Sequence, residues 1–403
     1  MTERRQRVPD VFDEAHRRCH AGEPVALATV VATWHSAPQP PGATMLVAAD
    51  GTVTGSVSGG CVEADLYERA RRVLATGAPE LIRYGISDDD AYAVGLTCGG
   101  VLDVFVERVD PGALPGLDAV AAARRAAQPA AVVTCVAADA GGALADAENP
   151  LGGNSPGTQP TDPARRLGRR LVLAGGQHPI GSLGDDRLDD AASADALGLL
   201  AAGHSGMLRY GYSGQRRGSG VSLFVTAYAT PPRMIVFGAI DFAAAVARIG
   251  AFLGYRVTVC DARPVFTTVR RFPEADEVVV QWPHRYLRTE VDAGRVDERT
   301  VVCVLTHDPR FDVPLLELAL RHPLAYVGAM GSRRTHDDRL KLLGEAGLTE
   351  AQLARLASPI GLDLGGRTPE ETAVSVAAQI VAARWGGTGR PLAALDGPIH
   401  RPG

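Results

Sequence analysis

The chain has 403 residues, enough for two or three domains, with 46% hydrophobic and 22% charged residues, the mix of a globular chain able to bury a real core. Its net charge of −5 argues against nucleic acid or an anionic membrane as the main partner, and six cysteines without a CxxC pair exclude a disulfide framework and a zinc ribbon. The charged start Met1–Arg7 has no apolar run behind it, and Arg124 and Arg125 interrupt the alanine-rich stretch near 119–133, so the expectation is a cytoplasmic protein with neither signal peptide nor membrane span.

The first strand is expected at Val25–Val31, followed by a proline-rich loop that holds His35, Ser36 and Gln39. Residues 55–85 and 181–211 then align without a gap at an offset of 126. Gly55-Ser56-Val57 matches Gly181-Ser182-Leu183, Gly77 matches Gly203, and Leu81–Gly85 matches Met207–Gly211. Upstream, Met45-Leu46-Val47 falls on Leu171-Val172-Leu173; downstream, Val104-Phe105-Val106 resembles Leu223-Phe224-Val225. Two related strand–helix–strand halves packed as one pseudo-symmetric α/β domain follow. Residues 137–168, rich in Gly, Ala, Pro, Asp and Asn, read as a flexible insertion between them.

The halves differ where chemistry would sit. The first reads Gly59-Gly60-Cys61-Val62-Glu63, and the second has the acidic turn Gly184-Asp185-Asp186-Arg187. With a helix expected over Val62–Thr76, Cys61 falls at a helix N-terminus, where free N–H groups and the helix dipole favour thiolate. Glu63 either opposes this with its own charge or serves as an N-terminal acid. A second glycine-flanked thiol, Cys98 in Gly95-Leu96-Thr97-Cys98-Gly99-Gly100, precedes the strand Val101–Val106. The competing reading for both is a buried cysteine in a tight turn. Cys19, Cys135, Cys260 and Cys303 fall on apolar faces and read as core.

Pro231-Pro232 stops the first domain, 1–230, and from Arg233 short apolar strands alternate with helices. This pattern gives a Rossmann-like doubly wound parallel sheet over 233–385, with a flexible tail over 386–403. Its first strand leads into Gly238-Ala239-Ile240-Asp241, a dinucleotide fingerprint with Ile240 in place of the middle glycine. Asp261, ending the next strand, is the candidate ribose acceptor. Gly331, Ser332, Arg333 and Arg367 are anion candidates, since glycines expose N–H groups and guanidinium forks match phosphate oxygens. Thr368, Pro369 and Glu371 spell a capping box, and His307 is either a structural histidine or a ligand contact.

Taken together, Gly55–Glu63, the Gly95–Gly100 loop running into Val101–Glu107, Ala325–Arg334 and Gly361–Glu371 resemble the XdhC/CoxI family over nearly the whole chain. These are accessory proteins of molybdenum hydroxylases such as xanthine dehydrogenase and carbon monoxide dehydrogenase. The resemblance implies binding of molybdenum cofactor (molybdopterin), its protection, and hand-over to the apo-hydroxylase, in some members after presentation to a sulfurase, here a cysteine desulfurase. It implies a non-enzymatic maturation chaperone. Toward such a cofactor Gly59, Gly60, Cys61, Glu63, Cys98 and Gly99 form the sulfur-bearing candidate site, with Cys61 as the metal ligand. Gly331, Ser332, Arg333 and Arg367 suit its phosphate. The alternative is an NAD(P)-dependent oxidoreductase that uses Asp261 and a base such as His307; a third reading is an assembly protein that binds the hydroxylase alone. A homodimer is expected on general grounds.

Overall fold

The structure is a computed structural model that describes residues 10–34, 37–85, 100–138, 166–306 and 308–396. It divides into two units, one ending at Thr230 and the other beginning at Pro231.

The first unit opens with α1 (Val11–His20), capped by Asp10. Period-two alternation in β1 (Val25–Trp34) then puts Ala26, Ala28 and Val30 on one face, where they pack with Leu66, Ala70 and Val73 of α2 (Glu63–Thr76). With β2 (Thr44–Ala48), β3 (Val53–Gly55), β4 (Glu80–Tyr84) and β5 (Val101–Val109) this makes an antiparallel sheet of order β3-β2-β1-β5-β4. After α3 (Leu114–Arg125) the arrangement returns. β6 (Ala130–Ala138), β7 (Arg170–Ala174), β8 (Ile180–Gly181), β9 (Gly206–Tyr210) and β10 (Val221–Tyr228) form a sheet of order β8-β7-β6-β10-β9, backed by α4 (Asp186–Ala202). Leu188, Ala192 and Ala196 of α4 do for Ala131, Val133 and Cys135 what Val62, Leu66 and Ala70 do in the first half.

The repeat read from the sequence is therefore a repeat of topology, and each half holds more strands than its ungapped stretch. The two sheets face each other through the side chains that alternation turns away from the helices. Val31 and Phe105 of one sheet join Val136 and Phe224 of the other in a buried cluster.

The second unit is the expected parallel sheet. β11 (Arg233–Phe237), β12 (Arg256–Asp261), β13 (Glu277–Val280), β14 (Val301–Val304), β15 (Tyr326–Ala329) and β16 (Leu356–Ala357) lie in the order β13-β12-β11-β14-β15-β16. The helices are α5 (Asp241–Phe252), α6 (Pro283–Asp292), α7 (Pro309–Arg321), α8 (Arg333–Glu345), the short α9 (Glu350–Leu353) and α10 (Pro369–Trp385). Alternation again sorts the faces: Met234 and Val236 pack with α5 and α10, and Ile235 and Phe237 with α6 and α7. The chain reverses direction across the sheet between β11 and β14, which makes their exit loops the switch point of the fold. Cys19, Cys135, Cys260 and Cys303 are buried, as expected of core residues. Burial pushes the Cys135, Cys260 and Cys303 thiols up to about 12, which keeps them unreactive.

Candidate functional site

Between β3 and α2 the chain runs Ser56-Val57-Ser58-Gly59-Gly60-Cys61-Val62, and Glu63 folds its carboxylate back into this loop. Its Oε1 accepts from the Ser56 hydroxyl at 2.6 Å and the Ser58 N–H at 2.9 Å. Its Oε2 accepts from the Gly60 N–H at 2.8 Å and from the Ser58 hydroxyl. The Ser56 oxygen takes the Gly59 N–H at 3.0 Å, and the Ser58 oxygen takes those of Cys61 and Val62 at 3.0 and 3.1 Å. Every amide from Ser58 to Val62 is thus engaged inside the loop. Burial alone would raise the Glu63 pKa, but the hydrogen bonds from Ser56 and Ser58 outweigh it and hold the carboxyl at about 2.

This loop is not an open nest of amides for an anion. What it presents is Cys61, half-buried at the start of α2, beside the exposed Gly59 and Gly60. Both glycines have positive φ, +77° and +125°, and no described atom lies within 4 Å of a Cβ built on either. The backbone therefore requires glycine, and the missing side chains leave room next to the thiol.

The second half keeps the scaffold without the sulfur. The Leu183 N–H donates to Asp189 Oδ1 at 2.8 Å, the counterpart of the Val57 N–H on Glu63 Oε1 at 3.3 Å. The position of Cys61 is held by Arg187, and a Cβ at Gly184 would lie 2.9 Å from Arg169 Nη1. Gly184 matches Ser58 of the first loop, Asp185 and Asp186 stand where that loop has Gly59 and Gly60, and Arg187 is exposed.

In the second unit the Asp261 carboxylate is 3% exposed and already engaged. Its Oδ2 accepts from the Ala239 N–H at 2.7 Å, and Arg263 donates to Oδ1 and Oδ2 at 3.0 and 2.8 Å. Burial would raise its pKa; the Arg263 and Ala239 hydrogen bonds lower it further than that. Ile240, before α5, packs its side chain against the core. Ser332 is the N-cap of α8, accepting from the Thr335 N–H at 3.1 Å, and Arg333 beside it is exposed. Arg367 is also exposed; its N–H donates to Glu371 Oε2 at 2.7 Å, and Thr368 and Glu371 form the capping box expected from their spacing. Cys98 and Gly99, His35, Ser36, His307 and most of 137–168 lie outside the described residues.

Sequence reasoning missed Ser56 and Ser58 as the loop's organisers, although two serines just ahead of Gly-Gly, with an acid at the first helical position, offer acceptors to the amides that a helix start leaves unpaired. It also missed the buried pair of Asp312 and Arg339 beneath Gly331, for which no local pattern exists. Among the described residues the one His, Cys, Asp or Glu trio close enough to share an ion is His16, His20 and Asp118, and Cys61 is not part of it. No described helix is long and apolar enough to cross a membrane.

Fold and site together define an α/β protein whose repeated antiparallel domain carries, among the described residues, one loop thiol and is followed by a parallel Rossmann-type domain. Residues 19–85 and 160–211 match the XdhC and CoxI family, and residues 234–380 match the XdhC Rossmann domain. The chain belongs to the XdhC and CoxI family. It is 26% identical to a Bacillus subtilis (strain 168) protein named as a probable xanthine dehydrogenase subunit, over 90% of this chain and 94% of that one. It is 24% identical to the Escherichia coli (strain K12) "Molybdenum cofactor insertion chaperone PaoD", over 90% and 85%. A Bacillus halodurans crystal structure described as a xanthine dehydrogenase shares the fold, with a TM-score of 0.60 and 22% identity over 95% of this chain and 97% of that one.

Proposed function

We propose that this chain is a molybdenum cofactor chaperone, which holds the cofactor as cargo through Cys61 and hands it to a molybdenum hydroxylase of the xanthine or carbon monoxide dehydrogenase type. The observation that carries this reading is the asymmetry of the repeat. One half carries a half-buried thiol on a prebuilt glycine loop, with no described atom within 4 Å of a Cβ on Gly59 or Gly60, and the other has Asp185, Asp186 and the exposed Arg187 at the matching positions. A soft sulfur donor suits a transition metal or its sulfur ligands. The name of the PaoD relative supports the reading.

Within it, Glu63 positions the thiol, because its oxygens are occupied by the loop. Gly59 and Gly60 give access, and Cys98 and Gly99 are proposed as further contacts. In the second unit the exposed Arg333 and Arg367, with Gly331 and Ser332, are proposed to bind an anion such as the cofactor's phosphate. The finer reading adds presentation of the cofactor to a cysteine desulfurase, a cytoplasmic location and a homodimer. The engagement of Asp261 by Ala239 and Arg263 speaks for a scaffold role and against the NAD(P)-dependent alternative.

The test is anaerobic purification followed by mass spectrometry of released molybdopterin. Wild type is expected to retain the cofactor, and Cys61→Ala about tenfold less, the loss of one strong ligand. Equal cofactor content and equal activation of apo-hydroxylase by the two proteins would remove Cys61 from the mechanism.

A further inference from the structure

Helix α1 turns Phe12, His16 and His20 to one side, since residues four apart share a helix face. That side packs on α3, which carries Asp118. Phe12 is buried with Val120, Ala121 and Ala123 of α3, and Arg124 of α3 donates to Asp10 and Asp13, each at 3.0 Å. Further along the same seam two imidazoles converge on one carboxylate. His16 Nε2 lies 2.8 Å from Asp118 Oδ1, and His20 Nε2 lies 2.7 Å from the same oxygen. The two rings stand at 85° with centroids 4.6 Å apart, and Phe12 stacks on His16 at 6.0 Å.

The hydrogen bonds from His16 and His20 hold the Asp118 carboxyl below its ordinary value, so it is an ionised acceptor. Each Nε2 that meets it therefore carries a proton. Packing does not account for this arrangement. Phe12 and the Arg124 bridge already join α1 to α3, and exposed polar pairs add little to stability. His20 is 52% exposed, yet its ring is turned to an oxygen that His16 already occupies. The three ligand atoms lie within 4.8 Å of one another. Two imidazole nitrogens and one carboxylate oxygen are a donor set that suits late first-row transition ions.

We propose that His16, His20 and Asp118 form a binding site for a divalent late first-row transition ion such as zinc(II), held by both Nε2 atoms and Oδ1. On binding, each ring exchanges its proton through solvent to Nδ1 and turns the Nε2 lone pair to the ion, so no net proton is lost. A tetrahedral ion with bonds of about 2.0–2.1 Å sets its ligands about 3.3 Å apart, so the trio opens by about half an ångström. Asp118, also 52% exposed, makes that move by rotating its own side chain. Two nitrogens disfavour magnesium and calcium, which take oxygen shells. The exposed side of the trio leaves the remaining position to water or an outside ligand. The ion ties α1, which opens the first half, to α3, which leads into the second. The site shares no residue with the Cys61 loop and does not depend on cofactor transfer.

The experiment titrates the untagged, metal-free full chain with zinc(II) by calorimetry at neutral pH. The probe contains no pterin, so failure here leaves the molybdopterin measurement above unaffected. Zinc is expected to bind with a Kd of about 1–10 µM, and magnesium not at about 1 mM. Zinc at about 100 times its Kd should raise the melting temperature by about 5 °C. His20→Gln and Asp118→Asn change exposed side chains, so each metal-free variant should melt like wild type while binding zinc about tenfold or more weakly. Cobalt(II) reads the ligand type: thiolate ligation adds an intense charge-transfer band that a site of two nitrogens and one oxygen lacks. The expected spectrum has no such band and is lost in both variants. No zinc binding at about 1 mM, magnesium binding as tight as zinc, or an affinity that both variants leave unchanged would overturn the proposal.

Discussion

The Asp312 carboxylate and the Arg339 guanidinium meet at 2.9 Å, each side chain only 3% exposed. Asp312 also accepts from the Thr306 hydroxyl, and Arg339 donates to the Met330 carbonyl at 3.1 Å and the Ser358 hydroxyl at 3.0 Å. One ion pair thereby ties together the segments that leave β14, β15 and β16, the edge of the sheet that carries Gly331 and Ser332.

Removal of one partner strands the other charge in the interior. Asp312→Ala is therefore expected to cost about 3–5 kcal/mol, and Asp312→Leu combined with Arg339→Met much less. Urea denaturation checks this. A single variant no less stable than the double one would show that the pair is not buried as described.

The Glu63 clamp predicts a pH dependence. Its carboxyl sits at about 2 in the folded protein and near 4.5 when unperturbed. A depressed folded value means that the stabilisation is fully present above about 4.5 and is lost as pH falls toward about 2. Glu63→Gln is expected to lose on the order of 1–2 kcal/mol at neutral pH, discounted for the solvent around a half-buried group. The gap from wild type should narrow between pH 4.5 and 2, measured by denaturant unfolding across that window. A gap independent of pH would mean that the carboxylate does not organise the loop through its charge.

The repeat makes a matched prediction at Gly55 and Gly181. Their φ values are +83° and +89°, and a Cβ on either would overlap a carbonyl oxygen of the adjacent strand, that of Thr44 or of Arg170. Gly55→Ala and Gly181→Ala should each cost about 2 kcal/mol or more. Gly77→Ala, also at positive φ but in open space, should cost about 1 kcal/mol. Thermal melts distinguish the two classes; equal effects at all three would refute the close approach.

Local pattern carried much of this protein. The 126-residue offset, the strand-like run Val25–Val31 and the Thr368–Glu371 box each lie within one element or one ungapped stretch, so short-range spacing was enough to place most of β1, the repeated halves and the start of α10. The placement of Cys61 before a helix was legible for the same reason. The direction of the Glu63 side chain was not, because its oxygens could face a ligand or the loop, and only the folded backbone offers six amides and two hydroxyls for the two serines and the acid to share.

The sequence by itself determined the elements, the doubling of the first domain and the parallel order of the second, because those follow from periodicities of two and 3.6 and from self-similarity. The tertiary structure alone decided that Glu107 and Arg170 meet across two sheets, and that Asp312 and Arg339 lock one edge of the other unit. Charge pairing between residues remote along the chain depends on which faces the sheets turn toward each other, and no local spacing encodes that.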